Sequence, residues 1–97
     1  MGKITVLRPD VPEPVHASVT LAERTPLPDR PTIGVISNGK PLAKELLDAL
    51  VAELEQRLGR TCDVQRLAKP SAAYVISAEE ADVMAVRAHV VISGLGD

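Results

Sequence analysis

The sequence predicts an α/β fold: a Rossmann-like, three-stranded parallel βαβαβ half-unit behind a proline-rich N-terminal arm, completed by a partner chain. Three observations carry this expectation. A β-branched apolar run at Thr32–Ser37 is followed by leucines at helical spacing, strand-like and helix-like segments then alternate to the end of the chain, and six of the eight prolines (Pro9, Pro12, Pro14, Pro26, Pro28, Pro31) fall between residues 9 and 31. Alternating strands and helices imply a parallel sheet with right-handed crossovers. Two segments follow: residues 1–31, an N-terminal strand and extended arm, and residues 32–97, the βαβαβ half-domain.

The elements can be justified in chain order. Ile4-Thr5-Val6-Leu7 reads as a short strand, at a sheet edge or on a neighbouring chain, stopped by Arg8-Pro9-Asp10. Proline lacks an amide donor and restricts its neighbour, so residues 9–31 are no regular helix or central strand. A short structured piece around Ala17–Arg24 is allowed. Val11, Val15, Val19 and Leu21 give the arm apolar side chains to pack along a partner. Thr32–Ser37 has the continuous apolar character of a strand buried on both faces. Asn38-Gly39-Lys40-Pro41 is a turn, with Pro41 suited to the first helical position. Leu42, Leu46, Leu47, Leu50, Val51, Leu54 and Leu58 form one stripe on a helix from Pro41 to Leu58, supported by Glu53 and Arg57 and capped by Gly59. A second strand is expected within Thr61–Leu67, with Val64 and Leu67 inward. Ser77 with Glu80 makes a capping box for a helix over Ala78–Ala88 that buries Val83, Met84 and Val86. His89–Ser93 is the third strand, leading into Gly94-Leu95-Gly96-Asp97. Three strands and two helices leave an open apolar edge, which is an association site.

Composition narrows the function classes. The 97 residues are 45% hydrophobic and 25% charged, with formal net charge −2 and Tyr74 as the sole aromatic. That argues against base-stacking platforms and against a basic phosphate-binding footprint, so no nucleic-acid partner is expected. One cysteine, Cys62, cannot make an internal disulfide. No signal peptide or membrane-length apolar run is visible, so a soluble cytoplasmic protein without a membrane partner is the expectation.

Ligands of open parallel α/β sheets bind outside the carboxyl ends of the strands. Three loops should meet there: Ser37-Asn38-Gly39-Lys40-Pro41, Lys69-Pro70-Ser71 and Ser93-Gly94-Leu95-Gly96-Asp97. Asn38, Gly39, Lys40, Lys69, Ser71, Ser93, Gly94 and Gly96 are the candidate substrate-binding residues, and together they could hold a carboxylate or phosphate group near helix amides. Each also has a plainer reading: Asn-Gly is a common turn, and most lysines sit at the surface. Gly94 and Gly96 make only part of a dinucleotide fingerprint and follow the third strand, so no nucleotide cofactor is expected. Cys62 and His89 lie at the opposite strand ends, and His16 lies in the arm. None has metal-ligand spacing to another donor, so no metal is expected.

From Arg30 onward the chain resembles the UGSC-like family of bacterial proteins, named for a Sec/Cys-Gly-Ser-Cys motif. The resemblance rests on Thr32-Ile33-Gly34 with Asn38-Gly39-Lys40-Pro41, on Lys69-Pro70-Ser71-Ala72, and on Ser93-Gly94-Leu95-Gly96-Asp97. In that family a segment like Gly96-Asp97 leads into the reactive motif, whereas here Asp97 is the last residue. Ser37 also stands where an acidic residue is expected. The resemblance implies a thiol- or selenol-dependent site after the third strand, with Asn38, Lys40, Lys69 and Ser93 orienting an anionic or carbonyl group and Asp97 as a catalytic proton carrier. The reactive cysteine would come from a second polypeptide, through a separate gene, proteolytic processing or a shortened chain. The expected function is thus one subunit of a heteromeric cysteine-dependent enzyme, a lyase, transferase or redox enzyme acting on a small molecule and inactive alone. The alternative is a non-catalytic interaction or stabilising subunit.

Overall fold

The structure, a computed structural model, describes residues 2–10, 18 and 20–95. Its elements run β1 (Thr32–Ser37), α1 (Ala43–Leu58), β2 (Asp63–Ala68), α2 (Ala78–Arg87) and β3 (Val90–Gly94). The three strands form one parallel sheet in the order β2-β1-β3. β1 is therefore central, paired from Thr32 to Ser37 with β2 and from Ile33 to Ser37 with β3.

The pleat of β1 sends alternate residues to opposite faces. Ile33 and Val35 pack on Leu47 and Val51 of α1, with Cys62, Leu54, Val64 and Ile92 closing that layer. Gly34 faces the other way, beneath Met84 of α2. A Cβ on Gly34 would overlap the Met84 Sδ and lie 3.1 Å from both the Ala88 Cβ and the Val91 Cγ2. Glycine is what lets α2 come down onto the central strand. The helices thus cover opposite faces, and the chain reverses its direction of travel at β1.

Several expectations change. Residues 4–7 form no strand, and Ile4 and Leu7 are 90% and 92% exposed, because no edge of this sheet lies against them. Residues 20–24 have no regular structure and Leu21 is exposed, while Val11, Val15, His16, Ala17 and Val19 lie outside the described residues. Helix α1 starts at Ala43, two residues after Pro41, because Leu42 takes a left-handed conformation at φ 64°. Its leucine stripe divides. Leu47 and Val51 are buried with Ala43, whereas Leu42, Leu46, Leu50 and Leu58 are exposed. Sheet contact covers only a narrow arc of a helix, and these leucines spread beyond it. Val64 and Leu67, three residues apart on a period-two strand, face opposite sides. On α2 only Met84 is buried, and Val86 is 86% exposed. β2 runs to Ala68 and β3 to Gly94, each one residue beyond the expected end.

Other local signals hold. Gly59 caps α1 in the left-handed region, and Arg57 Nε donates to Glu53 Oε1 at 2.9 Å. The Ser77 hydroxyl accepts from the Glu80 amide at 3.1 Å while Glu80 Oε2 accepts from the Ser77 amide at 2.8 Å. No helix among the described residues is long and apolar enough to cross a membrane.

The Gly34–Met84 contact predicts energetic coupling. Gly34→Ala should cost about 1–3 kcal/mol by overpacking, and Met84→Ala about 2–5 kcal/mol by leaving a cavity. The double variant should cost clearly less than the sum, because the alanine methyl enters the space vacated by methionine. Urea midpoints of the four proteins test this, and strict additivity would show that the close approach has no energetic consequence.

Candidate functional site

The strand order sets where a site can form. With β1 central and its neighbours reached by crossovers on opposite faces, the connections diverge above the carboxyl ends of β1 and β3. That divergence leaves a crevice at the topological switch point. Asn38 occupies it. Its amide donates to the Gly94 carbonyl at 2.9 Å, and its Nδ2 donates to the Leu95 carbonyl. Its Oδ1 accepts from the Lys40 amide at 3.3 Å, an Asx turn that folds the loop over its own side chain. One amide side chain thereby joins the β1 loop to the end of β3.

The second junction lies on the other side of β1. The Lys69 amide donates to the Ser37 carbonyl at 2.8 Å, continuing the β1–β2 ladder by one step. Gly39 then passes the next peptide at φ 79°, and a Cβ there would stand 3.1 Å from the Lys69 carbonyl oxygen. Both the backbone angle and the space demand glycine. The Ser37 hydroxyl accepts from the Gly39 amide at 3.3 Å, a turn contact that an acidic side chain could also make.

Below this rim the α2 side of the sheet holds a cavity of about 260 Å³, lined by Ile36, Lys69, Ala72–Ile76 and Ser93. Two candidates, Lys69 and Ser93, therefore line one space, and Asn38, Gly39 and Gly94 form the backbone junctions beside it. Ser71 is used locally: its hydroxyl accepts from the Ala73 amide at 3.2 Å and its carbonyl from the Tyr74 amide at 3.2 Å. It shapes the loop. Lys40 is half-buried beside Asn38. Gly96 and Asp97 lie outside the described residues.

Sequence reasoning missed the cavity's outer wall, Ala72 to Ile76, which carries Tyr74, and it missed the Leu95 carbonyl. A signal existed: residues 69–77 separate β2 from α2, nine residues against the usual two to six for such a connection.

The opposite ends of the strands hold the remaining chemistry-bearing side chains. Cys62 is 7% exposed, and burial pushes its thiol pKa up, with the Glu55 and Asp63 carboxylates adding to the rise. His89 Nδ1 accepts from the Thr32 amide at 2.9 Å and so ties β3 to β1. Among the described residues no three His, Cys, Asp or Glu side chains are grouped to hold a metal ion.

A family model described as the UGSC family matches residues 5–97, and the chain belongs to that family. The match reaches back across the proline-rich arm, well before Arg30, where the motif resemblance begins. No curated protein and no solved structure matches the chain.

Two outcomes follow from this geometry. Gly39→Ala should destabilise the fold by about 1–2 kcal/mol through the left-handed backbone alone, and more through the Lys69 carbonyl, read as a lowered melting temperature. Cys62 should react with iodoacetamide only slowly in the native protein and readily in denaturant. Fast native alkylation, followed by mass spectrometry, would contradict its burial.

Proposed function

We propose that this member of the UGSC family forms the substrate-orienting side of a thiol- or selenol-dependent enzyme whose reactive cysteine is supplied by a second polypeptide. The carrying observation is the separation of chemistry within the chain. Asn38, Lys69, Ser93 and Gly94 gather at the carboxyl ends of the strands, while the only thiol, Cys62, is buried at the amino ends. A thiol nucleophile for that crevice would therefore come from outside these residues. A thiolate arriving beside the end of β3 would meet backbone dipoles and the lysines of the two neighbouring loops, surroundings that lower a thiol pKa and make it a nucleophile at neutral pH. In this reading Asn38 and Lys40 orient a carbonyl or anionic group for attack, and Asp97 is the proposed proton carrier.

The uncovered surface supports a protein partner. Val86 near the end of α2 and Val90 and Val91 at the start of β3 are exposed apolar side chains, toward the strand ends away from the crevice. The same observation favours a second reading, a stabilising subunit without a share in catalysis.

Electrophile trapping separates the two. Treating the purified assembly with iodoacetamide and resolving it by native and denaturing mass spectrometry should show a labelled cysteine on a co-purifying polypeptide. Asn38→Ala and Lys40→Ala should each lower turnover of the assembly on the order of 10²-fold with unchanged circular dichroism. A monomer of 10.3 kDa with no companion would overturn the enzyme reading. Unaltered turnover in both variants would leave the stabilising role.

A further inference from the structure

The cavity under the β2–α2 loop has a chemistry of its own. Ile36, Ala72, Ala73, Val75 and Ile76 supply apolar walls. Three residues with polar side chains, Lys69, Tyr74 and Ser93, complete the lining. Among the described residues none of the three side chains makes a hydrogen bond or ion pair, although the loop's backbone is fastened at Ser71. Lys44, at 2.6 Å, and Arg66 pair with Asp48 on the opposite, α1 face of the sheet and do not line this cavity. Lys69 is half-buried, and its backbone is held by the Ser37 carbonyl, so its stem is anchored at the cavity's edge.

We infer that this cavity binds a small organic carboxylate with a short apolar body, the carboxylate beside Lys69 and Ser93 and the hydrocarbon against Ile36, Val75 and Ile76. This rests on the proposed function and names the substrate class of that site. Size, charge and wall chemistry each contribute. At about 30 Å³ per water-sized group, 260 Å³ admits on the order of eight to ten non-hydrogen atoms. A lining that joins apolar walls to a few polar groups is the usual make-up of a small-molecule site. A single lysine with a hydroxyl suits one carboxylate, whereas a phosphate would leave its further oxygens facing aliphatic walls.

Tyr74, the sole tyrosine, is a built-in reporter. The full chain, in the assembly in which it purifies, is labelled with 13C-tyrosine and titrated with hexanoate while the ring signals are followed. A saturable shift is expected, with affinity rising about two- to fourfold per methylene from acetate through butyrate to hexanoate. Hexanamide, of equal size but neutral, should bind at least fivefold more weakly, and Lys69→Met should weaken hexanoate at least tenfold while Lys69→Arg keeps most of the affinity. Equal binding of hexanamide, no gain along the acid series, an equivalent shift from inorganic phosphate, or no saturable shift would each overturn the inference. The hexanamide and chain-length comparisons use the unsubstituted protein, so they decide even where Lys69→Met does not fold. None of these signals depends on the external thiol. A trapped cysteine without hexanoate binding would sink the substrate class and keep the proposed function, and hexanoate binding without a trapped cysteine would do the reverse.

Discussion

The central position of β1 is the constraint on which the other features depend. A strand paired on both sides has every backbone group committed, so its ends cannot move without breaking two ladders at once. Thr32 anchors the lower end through His89, and Asn38 anchors the upper end through Gly94. Between them Ile33 and Val35 bury one face under α1, and Gly34 opens the other to Met84. The loops that carry the candidate site hang from this strand and its two neighbours, so their relative placement follows from the sheet's register.

That placement has two levels. The rim is made of backbone: an Asx turn at Asn38, a left-handed Gly39 and the amide of Lys69 on the Ser37 carbonyl. Such contacts hold peptide groups at short range. Beneath the rim the α2 side mixes apolar and polar side chains, because β1 and β3 turn Ile36 and Ser93 toward it and the long β2–α2 loop folds back as a wall. A polar rim over this mixed lining is the basis of the inferred preference for a charged end joined to a hydrocarbon body. The buried cysteine at the far end of the sheet contributes to packing and takes no part in this division of labour.

The arrangement also leaves apolar surface uncovered. Single exposed apolar side chains are ordinary, but here they sit on adjoining elements, with Val86 on α2 and Val90 and Val91 on β3, while Ile4, Val6 and Leu7 project from the arm. The core is correspondingly small, a single layer between β1 and α1 with one methionine on the other face.

What the sequence determined by itself was local. The order of elements, the Thr32–Ser37 strand, the Gly59 cap and the Ser77–Glu80 capping box were legible because each depends on residues within a few positions of one another. Tertiary structure decided the rest. The strand order β2-β1-β3, which puts the switch point between Asn38 and Gly94, depends on how the two crossovers pack, and no spacing along the chain records it. Which leucines of α1 are buried depended on the narrow arc that a sheet covers. Ile4–Leu7 has the composition of a strand, yet β structure is a property of pairs, and no edge of this sheet meets it. Lys69 and Tyr74 share the β2–α2 loop but Ser93 lies on β3, and only the packed sheet and the loop folded over it bring all three around one cavity.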